Sequence, residues 1–288
     1  MANDNEIQAL IQLLDDEDKE VFRHVHDKLL SLGTEVIPSL EQAWSSELNP
    51  ATHERLEEII REIQFTSLEN EWIEWVETDS PELLTGAYLV ARYFYPELKF
   101  EEVEKRILKL KQTIWLELNY NQTPLEQIQI FNQVFYNYHD FQGTQNTAEY
   151  QDLCINHVLE TKKGSSIAVG IIYQIVANEL NLPIYGVTLS QHYILAFCKK
   201  TLLDFTSENL EKEVMFYINP VNRGSIFSRN EVKDYLDKLK AEHHVRNFQP
   251  ASNKEIIREM LTYLLETTNL SDPERQYAEI NKLLGYLA

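Results

Sequence analysis

The chain has 288 residues, 43% hydrophobic and 11% aromatic, which is enough apolar material for one large core or two smaller ones. Acidic residues exceed basic ones by 46 − 26 = 20, giving a formal net charge of −20. Phosphate contacts need clustered Lys and Arg, so this balance argues against duplex nucleic acid and anionic membranes as partners.

Residues 5–64 are helical by period. Ile7, Leu10, Ile11 and Leu14 mark one apolar stripe, and Val21, Val25, Leu29 and Leu32 mark the next. Gly33 ends the second helix, Pro38 falls in the first turn of the third, and Asn49-Pro50 opens a fourth running to about Gln64. The stretch LLDDEDKEVFRHVHDKLLSLGTEVIPSL resembles a HEAT repeat, with an acidic turn, a helix, a glycine break and a second helix. So few repeats cannot bury their own apolar faces, and the segment is expected to lean on the remainder of the chain. Trp72 and Trp75 then lie on a short helix within Ser67–Asp79.

A mostly apolar helix is expected from Glu82 to Phe94. Another spans Leu98–Leu118, with Lys105, Arg106, Lys109 and Lys111 as its solvated face. Thr123-Pro124 starts a helix carrying Ile128, Phe131, Val134 and Phe135, a polar loop covers Asp140–Glu149, and Tyr150–Thr161 is helical. The central stretch is KGSSIAVGIIYQIVANELNLPIYGVTLSQHYILAF, residues 163–197. Gly164, Ser165 and Ser166 supply a helix start, and apolar residues from Ile167 to Leu180 cover most of the helix surface. Asn181-Leu182-Pro183 stops it. Ile184–Leu189 and Tyr193–Cys198 read as strands joined by Ser190-Gln191, with His192 opening the second. Further strands are expected at Leu202–Phe205 and Val214–Ile218, a turn at Arg223-Gly224 and a helix from Ser228 through Leu239. His243–Pro250 reads as a linker before a helical pair, Lys254–Thr267 and Glu274–Tyr286, which resembles a tetratricopeptide repeat.

A glycine before a nucleophile at a helix N-terminus, an apolar helix closed by Leu-x-x-Pro, and a strand-borne histidine resemble the transglutaminase core. In that core the nucleophile lies seventeen residues before the proline, and counting back from Pro183 lands on Ser166. His192 matches the histidine, and Ile218-Asn219-Pro220 matches the strand where the core carries Val-Asp-Pro. The closer likeness is to the SirB-type branch of transglutaminase-like proteins. The matching residues are Gly164, Leu182, Pro183, Gly186, Val187, His192, Tyr193, Asn219, Pro220, Asn222 and Gly224, with further likeness at 83–96 and 130–143. The likeness runs from Glu69 to Ala241. This sequence departs from the pattern at three places: Ser166 replaces the nucleophilic cysteine, Asn219 the aspartate, and Ala168 the branch's serine.

The resemblance implies a catalytic triad at Ser166, His192 and Asn219, in degenerate form. A cysteine there would gain a lowered pKa from the helix N-terminus and pair with the imidazole. An alcohol lies far beyond the ~0.3–1 kcal/mol of a helix dipole and would need general-base help and an oxyanion hole. Each position also has a plainer alternative: Ser166 as a cap or first-turn residue, His192 as a strand residue with a structural hydrogen bond, Asn219 as the turn former before Pro220. Cys154 and Cys198 lie among apolar neighbours and read as core thiols. No His-x-x-x-His or Cys-x-x-Cys spacing occurs, so neither a metal nor any other cofactor is expected. Met1–Glu6 is unlike a secretory signal and no stretch approaches the ~20 apolar residues of a spanning helix, so the expected setting is cytoplasmic.

The expected fold is α+β and mainly helical. A transglutaminase-like (papain-like) core at residues 67–245, with a small antiparallel sheet, is flanked by a HEAT-like segment at 1–66 and a helical pair at 246–288. The resemblance, with its missing cysteine, implies a non-catalytic module that binds a protein or peptide, with neither nucleic acid nor membrane as partner. The alternative is an acyl hydrolase or transferase using Ser166, His192 and Asn219.

Overall fold

The computed structural model describes residues 4–16, 18–46, 49–119, 121–144, 149–189, 192–202, 209–238, 244–267 and 269–287. The chain divides into two units, Met1–Glu74 and Trp75–Ala288. The first contains α1 (Asp4–Leu13), α2 (Lys19–Leu32), α3 (Ile37–Ser46) and most of α4 (Pro50–Glu77). Asp18 caps α2 by accepting the Glu20 N–H, and Gly33 closes it where the apolar stripe stops. Val25, Leu29, Leu40, Leu56 and Ile59 meet in one buried cluster, as side chains three and four apart on each helix require. Arg55 ties α4 to the turn after α1 by donating to the Leu14 and Asp16 carbonyls.

α4 corrects one expectation. The sequence suggests a helix ending near Gln64 and a separate short one around Trp72 and Trp75, yet α4 is a single helix of 28 residues. No glycine or proline occurs between Ala51 and Glu77, and Thr66-Ser67 alone breaks nothing.

In the second unit α5 (Leu83–Phe94), α6 (Phe100–Glu117) and α7 (Pro124–Asn132) come first, and α7 continues into a π-helical turn at Gln133–Tyr138. Next in the chain are β1 (Gln142–Thr144), α8 (Ile155–Thr161), β2 (Lys163–Ser165), α9 (Ser166–Glu179), β3 (Ile184–Leu189), β4 (His192–Cys198), β5 (Val214–Asn219) and β6 (Ser225–Phe227). The unit ends with α10 (Arg229–Lys238), α11 (Asn253–Leu265) and α12 (Pro273–Tyr286). The fold is α+β and mainly helical, with an antiparallel sheet in the order β3-β4-β5-β6. Every residue of α9 from Ser166 to Ala177 is buried, so this helix is the centre of the unit.

Several local readings change. The loop at Asp140–Glu149 holds β1, which pairs in parallel with β2. The helix expected over Tyr150–Thr161 is a 3-10 turn, Tyr150–Leu153, followed by α8, because Cys154 between them is extended. Of the strand expected at Leu202–Phe205, residues 203–205 lie outside the described residues, as do Leu239, Ser190, Gln191 and His243. The linker segment is not free: Phe248 joins the apolar cluster of Val187, Tyr217 and Leu236, and the Ala251 N–H donates to the Gly186 carbonyl at 2.8 Å. Phe248 is apolar enough to be drawn onto the sheet, and its carbonyl accepts the Tyr217 hydroxyl at 2.7 Å. Among the described residues no helix is long and apolar enough to cross a membrane.

Candidate functional site

α9 begins where Ser165 leaves the extended backbone of β2; the Ser165 hydroxyl accepts the Ala168 N–H at 3.2 Å and caps the helix. Ser166 is therefore the first helical residue rather than the cap. It is buried and lines a cavity of about 400 Å³ enclosed by the sheet, α9 and α10. The wall is mainly apolar, formed by Leu189, Ile194, Val221, Ile226, Phe227 and Val232, while Asn219, Ser225 and Glu231 add polar groups. Glu231 accepts the Ser228 N–H at 2.7 Å and its hydroxyl at 2.8 Å. These two bonds hold its carboxyl below the usual carboxylate range, so it is ionised at neutral pH.

Asn219 closes β5 opposite Ser225 and lines the same cavity as Ser166. Its side-chain oxygen accepts the Val221 N–H at 2.9 Å and the Asn222 N–H at 3.2 Å, which folds the chain into a turn around Pro220. The end of α7 and its π-helical turn staple this turn from outside. Asn132 donates to the Gly224 carbonyl at 2.8 Å, Tyr136 to the Pro220 carbonyl at 3.2 Å, and Arg223 to the Tyr136 carbonyl at 3.1 Å. Tyr173 orients the Asn132 amide by donating to its oxygen at 2.9 Å. Gly224 has φ +70°, and any Cβ there would collide with that amide, so only glycine fits.

His192 opens β4 with its backbone opposite Leu189; its side chain lies outside the described residues. The structure thus brings Ser166 and Asn219 to one cavity and carries the His192 backbone on the strand that borders it. Beside His192, the fully buried Tyr193 ring fills the space left by two glycines, Gly170 of α9 and Gly186 of β3, where a Cβ would meet the ring. Its hydroxyl donates to Gln174 at 3.1 Å, and burial raises its pKa. The sequence marks Gly186 and Tyr193 only as residues of the SirB-type pattern and leaves Gly170, and the packing of the ring on both glycines, unmarked. The available signal was a glycine inside a buried helix, which costs ~0.5–1 kcal/mol against alanine and so marks a close approach.

Both cysteines are buried and free. Burial pushes the Cys154 thiol up, and raises Cys198 to about 12, so neither is a thiolate at neutral pH. Among the described residues no three His, Cys, Asp or Glu side chains group closely enough to hold a metal ion.

A family model described as the transglutaminase-like superfamily matches residues 101–262, more than half of the chain. The chain belongs to the transglutaminase-like superfamily. The match runs from α6 into α11 and takes in Ser166, His192 and Asn219. A UPF0162 protein of Vibrio cholerae is 24% identical over 194 residues, which cover 65% of this chain and 66% of that protein. Protein SirB1 of Salmonella typhimurium is 26% identical over 186 residues, 63% of each chain. A UPF0162 protein of Buchnera aphidicola is 29% identical over 136 residues, 46% of each. These relatives bear out the likeness to the SirB-type branch, and the chain spans less than two thirds of their length. No solved structure matches.

Proposed function

We propose that this chain is a transglutaminase-like protein without thiol chemistry, binding a protein or peptide segment in the cavity beside Ser166. The observation that carries this reading is the Asn219 side-chain oxygen, which accepts two N–H groups of its own turn. A carbonyl oxygen has two lone pairs, so none is left to orient an imidazole. Serine at the nucleophile position adds to it, since a helix N-terminus contributes only ~0.3–1 kcal/mol toward ionising an alcohol. The cavity of about 400 Å³ with its apolar wall is of the size and character that receive an apolar side chain. Residues 1–66, read as HEAT-like, and 246–288, read as tetratricopeptide-like, suit protein contacts in a cytoplasmic setting, with neither nucleic acid nor membrane as partner.

The second reading, an acyl hydrolase or transferase with Ser166, His192 and Asn219, is favoured by one observation: Ser166 and Asn219 line the same cavity. A serine-directed fluorophosphonate probe separates the two, with no labelling of Ser166 expected. Labelling that disappears in His192→Ala would establish the enzyme instead. For the binding arm, peptides selected from a library on the full chain should be lost when Val221→Trp fills the cavity. Unchanged binding by that variant would remove the cavity from the reading.

A further inference from the structure

The first unit holds most of the chain's net charge. Residues 1–74 contain 18 acidic and 5 basic residues, so 18 − 5 = 13 of the 20 net negative charges fall in about a quarter of the sequence. Between Lys28 and Arg92 the only basic residues are Arg55 and Arg61. Arg55 points to the Leu14 and Asp16 carbonyls, and Arg61 pairs with Glu57 one turn back on α4.

Within this unit α3 and α4 border a pocket of about 390 Å³. α3 contributes Glu41 and Trp44, one turn apart, and α4 contributes Glu57, Ile60 and Arg61, whose spacing of three and four puts them on one face. Trp44 is 38% exposed and packs on His53, with ring centroids 4.4 Å apart. Ile60, partly buried, is the other apolar wall. An open indole at the edge of a recess marks a place where a group of another molecule is received.

Charge decides which group. Of the three charged residues lining the pocket, Glu57 and Arg61 neutralise each other. Glu41 is exposed and is the one charged residue of α3. Among the described residues no Lys, Arg or His lies within 4.0 Å of it. Glu54, exposed and three residues before Glu57, adds a further carboxylate on that side of α4. His53 as a neutral imidazole changes nothing in this balance. The pocket therefore offers an aromatic wall, an aliphatic wall and an uncompensated carboxylate.

We propose that this pocket receives an arginine side chain from a basic segment of a partner protein. The guanidinium lies against the Trp44 indole and bonds the Glu41 carboxylate, while the methylene stem packs along Ile60. Arginine suits the pocket better than lysine, because a planar guanidinium can stack on a ring and donate in a fork at the same time. The acidic field of the whole unit draws basic segments toward it and repels phosphates and acidic ones. None of the pocket residues lines the cavity at Ser166, so this proposal and the reading of that cavity stand or fall separately.

The test uses the full chain at pH 8, where an ordinary imidazole is neutral, and a fluorescein-labelled peptide with three arginines spaced by Gly-Ser, beside its lysine and glutamate counterparts. Fluorescence anisotropy should show the arginine peptide bound about two- to fivefold more tightly than the lysine peptide, with the glutamate peptide unbound. Added salt should weaken both basic peptides. Trp44→Ala should remove the preference for arginine, and Glu41→Gln should weaken binding by about threefold. Glu104→Gln, an equal change of charge at an exposed residue of the other unit, should leave binding as it was. Circular dichroism checks folding, and Glu41→Gln, at an exposed position, keeps the test open should Trp44→Ala fold poorly. Equal effects of Glu41→Gln and Glu104→Gln, or a preference for arginine that survives Trp44→Ala, would overturn the proposal in favour of a general acidic field. Spermine displacing the arginine peptide at concentrations below those of the peptide itself would overturn it in favour of a polyamine.

Discussion

Tyr193 sits where neither α9 nor β3 places a side chain in its path. Giving Gly186 a methyl group forces that ring to move within a buried, hydrogen-bonded site. Gly186→Ala should therefore cost ~1–3 kcal/mol, read from the midpoint of urea unfolding. The Gly186 Cβ would meet the Tyr193 hydroxyl first, so Gly186→Ala with Tyr193→Phe should lose less than the sum of the single changes. Strict additivity would show that the two do not share the space. At Ser166, a cysteine tests the electrostatics of the α9 N-terminus apart from any substrate. Thiols in such settings have pKa values of roughly 3.5–7.5 against ~8.5 unperturbed, so Ser166→Cys should react with iodoacetamide at pH 6. Cys154 and Cys198, both raised by burial, remain protonated and silent there. His192→Ala in that background should slow the labelling, and a rate that ignores the loss of His192 would separate these two positions.

At the scale of elements, α10 begins with a reciprocal pair. The Ser228 N–H and hydroxyl bond the Glu231 carboxylate, and the Glu231 N–H reaches back to the Ser228 hydroxyl at 3.4 Å. The folded carboxyl titrates below its ordinary 4.5. Its contribution to the helix start is thus fully present above pH 4.5 and is lost as the pH falls through the lower folded value. Hydrogen exchange at the first amides of α10, corrected for intrinsic rate, should quicken in that acid range, and Glu231→Gln should remove the pH dependence. This start was legible in the sequence, because Ser228 and Glu231 are a local signal. So were Gly33, Thr123-Pro124 and the start of α9. The three-residue strands β1, β2 and β6 were not, since each is too short to show a period: β1 and β2 are fixed by pairing with each other across α8, and β6 by its hairpin with β5. The joining of Ser166 and Asn219 in one cavity could be read from the order of motifs. That the Asn219 oxygen is spent on its own turn was foreshadowed only by the following proline, and Glu231 at the cavity gave no signal at all.

At the scale of the molecule, the first unit has its own buried cluster, and Leu29 lies in it fully buried. Leu29→Ala should cost ~2–5 kcal/mol, seen by calorimetry as a lowered transition. Residues 1–66 expressed alone should show no cooperative melting, because the cut severs α4 partway along its 28 residues. A sharp monomeric transition from that fragment would show that the remainder of α4 is dispensable.

The staple of Asn132 on Gly224 joins positions 92 apart in the chain. During synthesis the end of α7 leaves the ribosome long before its acceptor exists. At ~5–20 residues per second it waits about 5–18 s for Gly224, without counting passage through the exit tunnel. Through that interval Phe131, Phe135 and Tyr136, all buried in the finished protein, have neither β5 nor the Pro220 turn to cover them. The nascent chain therefore passes through a stage in which its most aromatic segment is open to chaperones, and the walls of the cavity are among the last surfaces to close.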